Sequence, residues 1–102
     1  MFHILKYLNH AHPMENVLSQ KAKIVAMNIR LVREYRGYTQ GYLASKLSIS
    51  QNAYSKIELG YSKLTIDRLF QLEVILRVEV VQLVMLNHRD LIKTIAQAEK
   101  QM

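Results

Sequence analysis

The stretch TQGYLASKLSISQNAYSKIE, from Thr39 to Glu58, ends in a segment that sets Gln51, Asn52, Ser55 and Lys56 close together. On a helix, at 100° per residue, these four share an arc with Leu59, while Ala53, Tyr54, Ile57 and Glu58 lie opposite. A carboxamide offers a donor and an acceptor side by side, and an ammonium group offers three donors. This is recognition chemistry. Amides can bond bidentately to adenine, and lysine can donate to guanine or to phosphate. The plain alternative for the same arc is an ordinary solvated helix face.

Other chemistries have less support. The chain has no cysteine, which removes disulfides and thiolate metal sites and suits a reducing, cytoplasmic setting. It has no glycine-rich phosphate loop, and no spacing of serine, histidine and acid suggests catalysis, so neither an enzyme nor a cofactor is expected. His3, His10 and His12 stand in the opening segment without cysteine, and read as a solvated tail rather than a metal site. Fourteen Lys and Arg against eight Asp and Glu give a formal charge of +6. That balance suits a polyanionic partner, but many small proteins are basic, so placement must decide. The opening MFHILKYL is broken by Lys6 and followed by NHAHP, which fits neither a signal peptide nor a membrane span.

These side chains need a scaffold. A chain of 102 residues, half hydrophobic, with three glycines and one proline, predicts one all-α domain. Residues 1–13 end at Pro13 and read as an appendage. From Asn16, a candidate N-cap, Leu18, Ala22, Val25, Ile29 and Val32 mark an apolar stripe on a first helix. Gly37 closes that helix and Thr39 caps a second over about 39–47, with Leu43, Ala44 and Leu47 inward. SIS makes a short turn, and Ser50 caps a third helix over about 51–59, with Tyr54 and Ile57 assigned to the core. Thr65 caps a fourth containing Ile66, Leu69, Phe70, Leu72 and Leu76, and EVVQLVM makes a fifth. His88 marks the start of a last helix over about 89–100, whose stripe of Leu91, Ile92, Ile95 and Ala98 is too long to leave in water. Its mixed-sign polar face argues against a membrane surface, and dimerisation is preferred to packing back on its own domain.

Two helices joined by a three-residue turn, with a basic and amide-bearing outer face on the second, form the pattern of a helix-turn-helix reader. The segment from Ile29 to Leu83 resembles the lambda repressor and Cro class, also called the XRE family. The match runs through Ile29, Arg30 and Arg33, through TQ..LA..L from Thr39 to Leu47, through Ile49 and Ser50, and through S.IE.G from Ser55 to Gly60. The resemblance implies a five-helix lambda-repressor-like DNA-binding domain over residues 14–86. An N-terminal extension over 1–13 and a C-terminal amphipathic helix over 87–102, a candidate dimerisation element, flank it. It implies that the third helix enters the major groove, with Gln51, Asn52 and Lys56 facing base edges. Thr39, Gln40, Ser55 and Lys63 match positions at the DNA backbone, Gln40 also buttressing the reading helix, and Arg33 with Glu58 matches an internal ion pair.

Four positions depart from the family pattern. Ser48 replaces the usual turn glycine, which predicts strain if the turn needs a positive φ. Gly41 and Tyr42 replace an acidic pair, making the first turn of the second helix less repulsive to phosphate. Glu73 stands where a small apolar residue is usual, and needs either a cationic or hydroxyl partner or a helix rotated towards water. The expected function is a cytoplasmic, sequence-specific, DNA-binding transcription regulator, a homodimeric repressor on a two-fold operator. The alternative is an antitoxin or accessory subunit of the same fold with a toxin or other protein partner, and a third reading is a coactivator that does not read bases.

Overall fold

The computed structural model describes residues 14–101; the extension and its His3, His10 and His12 lie outside the described residues. The described chain is helical, without strands. Its elements are α1 (Met14–Tyr35), α2 (Gln40–Leu47), α3 (Gln51–Glu58), α4 (Ile66–Leu76), α5 (Val80–Met85) and α6 (His88–Lys100). No described helix is long and apolar enough to cross a membrane.

Helix boundaries follow local chemistry. The side chains of Thr39, Ser50, Thr65 and Asn87 each accept a hydrogen bond from the backbone N–H three residues on, at Tyr42, Ala53, Arg68 and Asp90. Each bond satisfies one of the donors that a helix start leaves without a partner. Gly37, at φ +75°, closes α1, where a side chain would be strained. Asn16 is not a cap: α1 is already helical at Met14.

One core cluster draws on all six helices, with Ile29, Val32, Leu43, Leu47, Tyr54, Ile57, Leu72, Leu76, Leu83, Leu91 and Ile95 among its members. The stripe expected on α1 holds only towards its C-terminal half. Ile29 and Val32 are buried and Val25 half-buried, whereas Leu18 and Ala22 are exposed and Val17 and Ala26 are buried instead.

The largest departure concerns α6. Leu91 is fully buried and Ile95 nearly so, in the same core as α1, so these two members of the stripe expected to seek a partner pack on the chain's own domain, while Ile92 is half-buried and Ala98 exposed. Arg36 fastens this arrangement. Its Nε donates to the Leu76 carbonyl at 2.8 Å, its Nη2 donates to the Arg77 carbonyl at 2.9 Å, and its Nη1 pairs with Glu99 of α6. A guanidinium over the last carbonyls of α4 meets both free acceptors and the negative end of the helix dipole. Asn28 does similar work for α5, its buried amide donating to the carbonyls of Leu83 at 2.8 Å and Leu86 at 2.9 Å. Glu73 is half-buried and has a partner that neither expectation named. Its Oε2 accepts from the backbone N–H of Val80 at 2.9 Å, so the first turn of α5 is its partner.

Candidate nucleic-acid interface

The turn between α2 and α3 consists of Ser48, Ile49 and Ser50. Ser48 adopts φ 57° and ψ 42°, the left-handed region, and its N–H donates to the carbonyl of Ser45 at 3.1 Å. The Ile49 N–H donates to Ala44 at 3.0 Å, which closes α2 and turns the chain at once. The anticipated strain is therefore present, since a Cβ is disfavoured in this region. Half-buried Ile49 packs against the core, while Ser50 starts α3.

The inner side of α3 is set by a buried polar network. Glu58 Oε2 accepts from Arg33 Nε at 2.5 Å and from the Tyr54 hydroxyl at 2.5 Å. Glu58 Oε1 accepts from Arg33 Nη2 at 3.0 Å and from Gln40 Nε2 at 3.1 Å. Arg33 Nη1 donates to the Tyr38 carbonyl at 2.8 Å. Every fork of the guanidinium and both carboxylate oxygens are thus engaged, as a buried charge pair requires. Burial alone would raise the Glu58 pKa, but hydrogen bonds from Arg33, Tyr54 and Gln40 outweigh it and hold the carboxyl below its ordinary value. The bond to Glu58 raises Arg33 against the opposing effect of burial, and Tyr54 is raised by burial first and by Glu58 second. The network links α1, α2 and α3, so the orientation of α3 follows from three elements at once.

The outer side of α3 carries Gln51, Asn52 and Lys56, all exposed, with Ser55 half-buried and Leu59 54% exposed beside them. Gln51 lies over the first turn of α2: a Cβ added at Gly41 would stand 3.6 Å from Gln51 Oε1 and 3.9 Å from Thr39 Oγ1. Thr39 is exposed, with its oxygen accepting from the Tyr42 N–H at 3.0 Å and its own proton left to donate. Gln40 is half-buried and turned to Glu58, which suits the buttressing part of its expected role. Lys63 is exposed in the loop after Gly60. That glycine has φ +78°, and a Cβ there would meet Lys23 Cγ of α1 at 3.1 Å, so the loop lies close on α1.

Several neighbours were not anticipated from the sequence. Arg68, in the first turn of α4, bonds to the Gln71 side chain at 3.1 Å and to the Leu47 carbonyl at 3.4 Å. With Lys63, Thr65, Ile49 and Ala53 it lines a depression of about 190 Å³ at the edge of α3. Its one sequence signal was the offset of three from the cap Thr65. Tyr42 stacks obliquely on Tyr38 with centroids 4.7 Å apart, and Lys46 Nζ lies 5.5 Å from the Tyr42 ring. Tyr42, in the first turn of α2 where an acid would oppose phosphate, thus stands between Tyr38, which precedes the helix, and Lys46 of its last turn. Tyr54 was assigned to the core, where it lies, but its bond to Glu58 was not foreseen.

An exposed amide and ammonium face, on a helix oriented by its predecessor across a tight turn, can hydrogen-bond base edges and phosphates in a groove wide enough for one helix. Comparison with known families agrees with this geometry. A family model described as helix-turn-helix, of the Cro/C1 type, matches residues 29–83, more than half of the chain. No curated protein and no solved structure matches the chain. With that match, and with α1 to α5 in the order and packing such a domain requires, the chain belongs to the Cro/C1-type helix-turn-helix family, also called the XRE family, and carries its DNA-binding domain.

Proposed function

We propose that this chain is a sequence-specific transcription regulator, a homodimeric repressor that reads the major groove with α3 and acts by occupying DNA near a promoter. Gln51, Asn52 and Lys56 read base edges. Thr39, Ser55 and Lys63 hold the DNA backbone, and Gln40 touches phosphate from the start of α2 while bracing Glu58. The observation that carries this reading is the division of α3 into two faces. One is locked by Tyr54, Glu58, Arg33 and Gln40, and the other leaves its amides and ammonium group exposed. Rigid support beneath exposed donors is what base discrimination needs, because a misplaced bidentate bond discriminates nothing.

Selection of bound sequences from random duplex DNA tests it. An enriched palindrome is expected, and its half-site spacing, about 10 to 10.5 base pairs or a multiple, reports the separation of two reading helices. Binding without enrichment removes base readout and favours the accessory or antitoxin reading, in which the same fold serves a protein partner.

A further inference from the structure

Arg68 is half-buried in the first turn of α4, and only one end of its guanidinium is engaged. Nη1 donates to the Leu47 carbonyl at 3.4 Å and to Gln71 Oε1 at 3.1 Å. Nε and Nη2, which carry the other donors of the fork, have no hydrogen-bond partner among the described residues, and Arg68 takes part in no ion pair there. A half-buried cation with donors left over is costly unless an acceptor meets it. The depression of about 190 Å³ that Arg68 lines has the chemistry for one. Its polar lining is Arg68, Lys63 and the hydroxyls of Ser62 and Thr65; no carboxylate takes part, and Asp67 beside Arg68 lines none of it. Thr65 Oγ1 already accepts from the Arg68 N–H at 3.1 Å, so its own proton is left to donate. Donors and positive charge without a competing carboxylate suit an anion with several oxygens, and a guanidinium fork matches phosphate.

We infer that Arg68, with the hydroxyls of Ser62 and Thr65, holds a backbone phosphate of the DNA, additional to the one that Lys63 holds. The inference rests on the reading above, in which α3 enters the major groove, and adds a contact to it. Position identifies the source of the phosphate. Ala53, which lines the depression, lies three residues before Lys56 and thus about 60° from it around α3. The depression therefore opens along the flank of the reading arc, on the Lys56 side, where the sugar-phosphate wall of the groove rises when α3 lies in it. Lys63 lines the same depression, so the contact is continuous with the proposed backbone interface. A phosphate carries no sequence information, and its effect here is positional. Leu47, whose carbonyl Arg68 holds with its other end, is the last residue of α2, so the contact joins the DNA backbone to the turn that aims α3.

Titrations of the full chain on its preferred duplex and on a scrambled one, at several salt concentrations, test the contact, with thermal denaturation as the control for folding. Arg68→Gln should weaken both duplexes by the same factor, about tenfold, and lower the salt slope by about one. Arg68→Lys should keep the slope and recover part of the affinity, since the charge remains and the fork does not. K63A and R68Q together should lower the slope by about two. Inorganic phosphate, without DNA, should shift the melting midpoint of the unaltered chain no more than that of R68Q. If R68Q binds both duplexes as the unaltered chain does and only melts lower, Arg68 merely supports the Leu47 carbonyl and the contact is overturned. Loss confined to the preferred duplex overturns it as well, since a phosphate contact cannot discriminate. A double variant whose slope falls by only about one sets both cations on one phosphate and overturns the additional contact. Stabilisation of the unaltered chain alone by inorganic phosphate, with no effect of R68Q on either duplex, makes the occupant a free anion and overturns the DNA source. A chain that prefers no duplex sinks base readout, and the same slopes on any duplex still decide Arg68; a chain that binds no duplex overturns both.

Discussion

Single side chains in the candidate interface divide by whether their contact depends on base identity. Gln51→Ala or Lys56→Ala is expected to cost about 1 to 3 kcal/mol on the preferred site and to relax its sequence preference. Lys63→Ala should weaken specific and scrambled duplexes alike and lower the salt slope by about one, because one phosphate is then no longer neutralised. Titrations of both duplexes at several salt concentrations separate the cases, and equal weakening of both duplexes by Gln51→Ala and by Lys56→Ala would reduce α3 to a docking surface. Glu58 acts on stability instead. Its pKa is lower in the folded chain than in the unfolded one, so between those values the unfolded chain binds a proton that the folded chain does not. The stability it contributes is complete above the ordinary value of 4.5 and is lost as the pH falls through the folded value. Glu58→Gln strands the buried Arg33 charge and should cost about 3 to 5 kcal/mol near neutrality. Melting curves from pH 7 downwards should show the unaltered chain losing more stability below pH 4.5 than the variant loses over the same range.

Among the elements, the turn between α2 and α3 holds a removable cost. Ser48 sits in the left-handed region, with its N–H bonded to α2 and its side chain exposed. Replacing it by glycine removes the Cβ clash, about 1 to 2 kcal/mol, and this relief outweighs the added freedom that glycine gives the unfolded chain. Ser48→Gly should stabilise the domain by about 1 kcal/mol, a rise of about 4 to 8 °C in the melting midpoint for a domain of this size. An unchanged or lowered midpoint would mean that the serine makes a compensating contact. Gly41 is a second case: it weakens α2 from within, and a Cβ there would come no closer to Gln51 Oε1 than ordinary contact at 3.6 Å, so Gly41→Ala should stabilise the helix without displacing Gln51.

Across the whole molecule, α6 belongs to the domain it was expected to leave. Removing residues 88–102 would uncover the core facing Leu91 and Ile95 and detach Glu99 from Arg36. Two such apolar side chains stabilise by about 1.5 to 3 kcal/mol each when buried. The truncated chain should therefore melt far lower, with partial loss of fixed structure, and should not survive as a well-folded monomer. Thermal denaturation of both chains checks this. Equal midpoints would show that α6 contributes nothing to the fold of the remainder.

What the sequence determined by itself is local. Thr39, Ser50 and Thr65 were legible as caps because a cap needs only its own hydroxyl and an amide three residues on. Gly37 was legible because the left-handed backbone favours glycine, and the two faces of α3 because helical geometry sorts a string of eight residues without reference to anything else. The motif around them named the ion pair of Arg33 and Glu58, but not the convergence of Tyr54 and Gln40 on the same carboxylate, which depends on the distance between helices. Tertiary structure alone decided the rest. Asn28 meets its carbonyl partners across 55 and 58 residues, and no spacing in the sequence encodes that. Glu73 found a backbone amide rather than a side chain because the turn into α5 brings that amide within reach. An apolar stripe states that a face must be covered and is silent on what covers it. For that reason α6, read from its stripe as a dimer element, turned Leu91 and Ile95 inward, while Ile66, Phe70 and Val74 of α4 stay exposed.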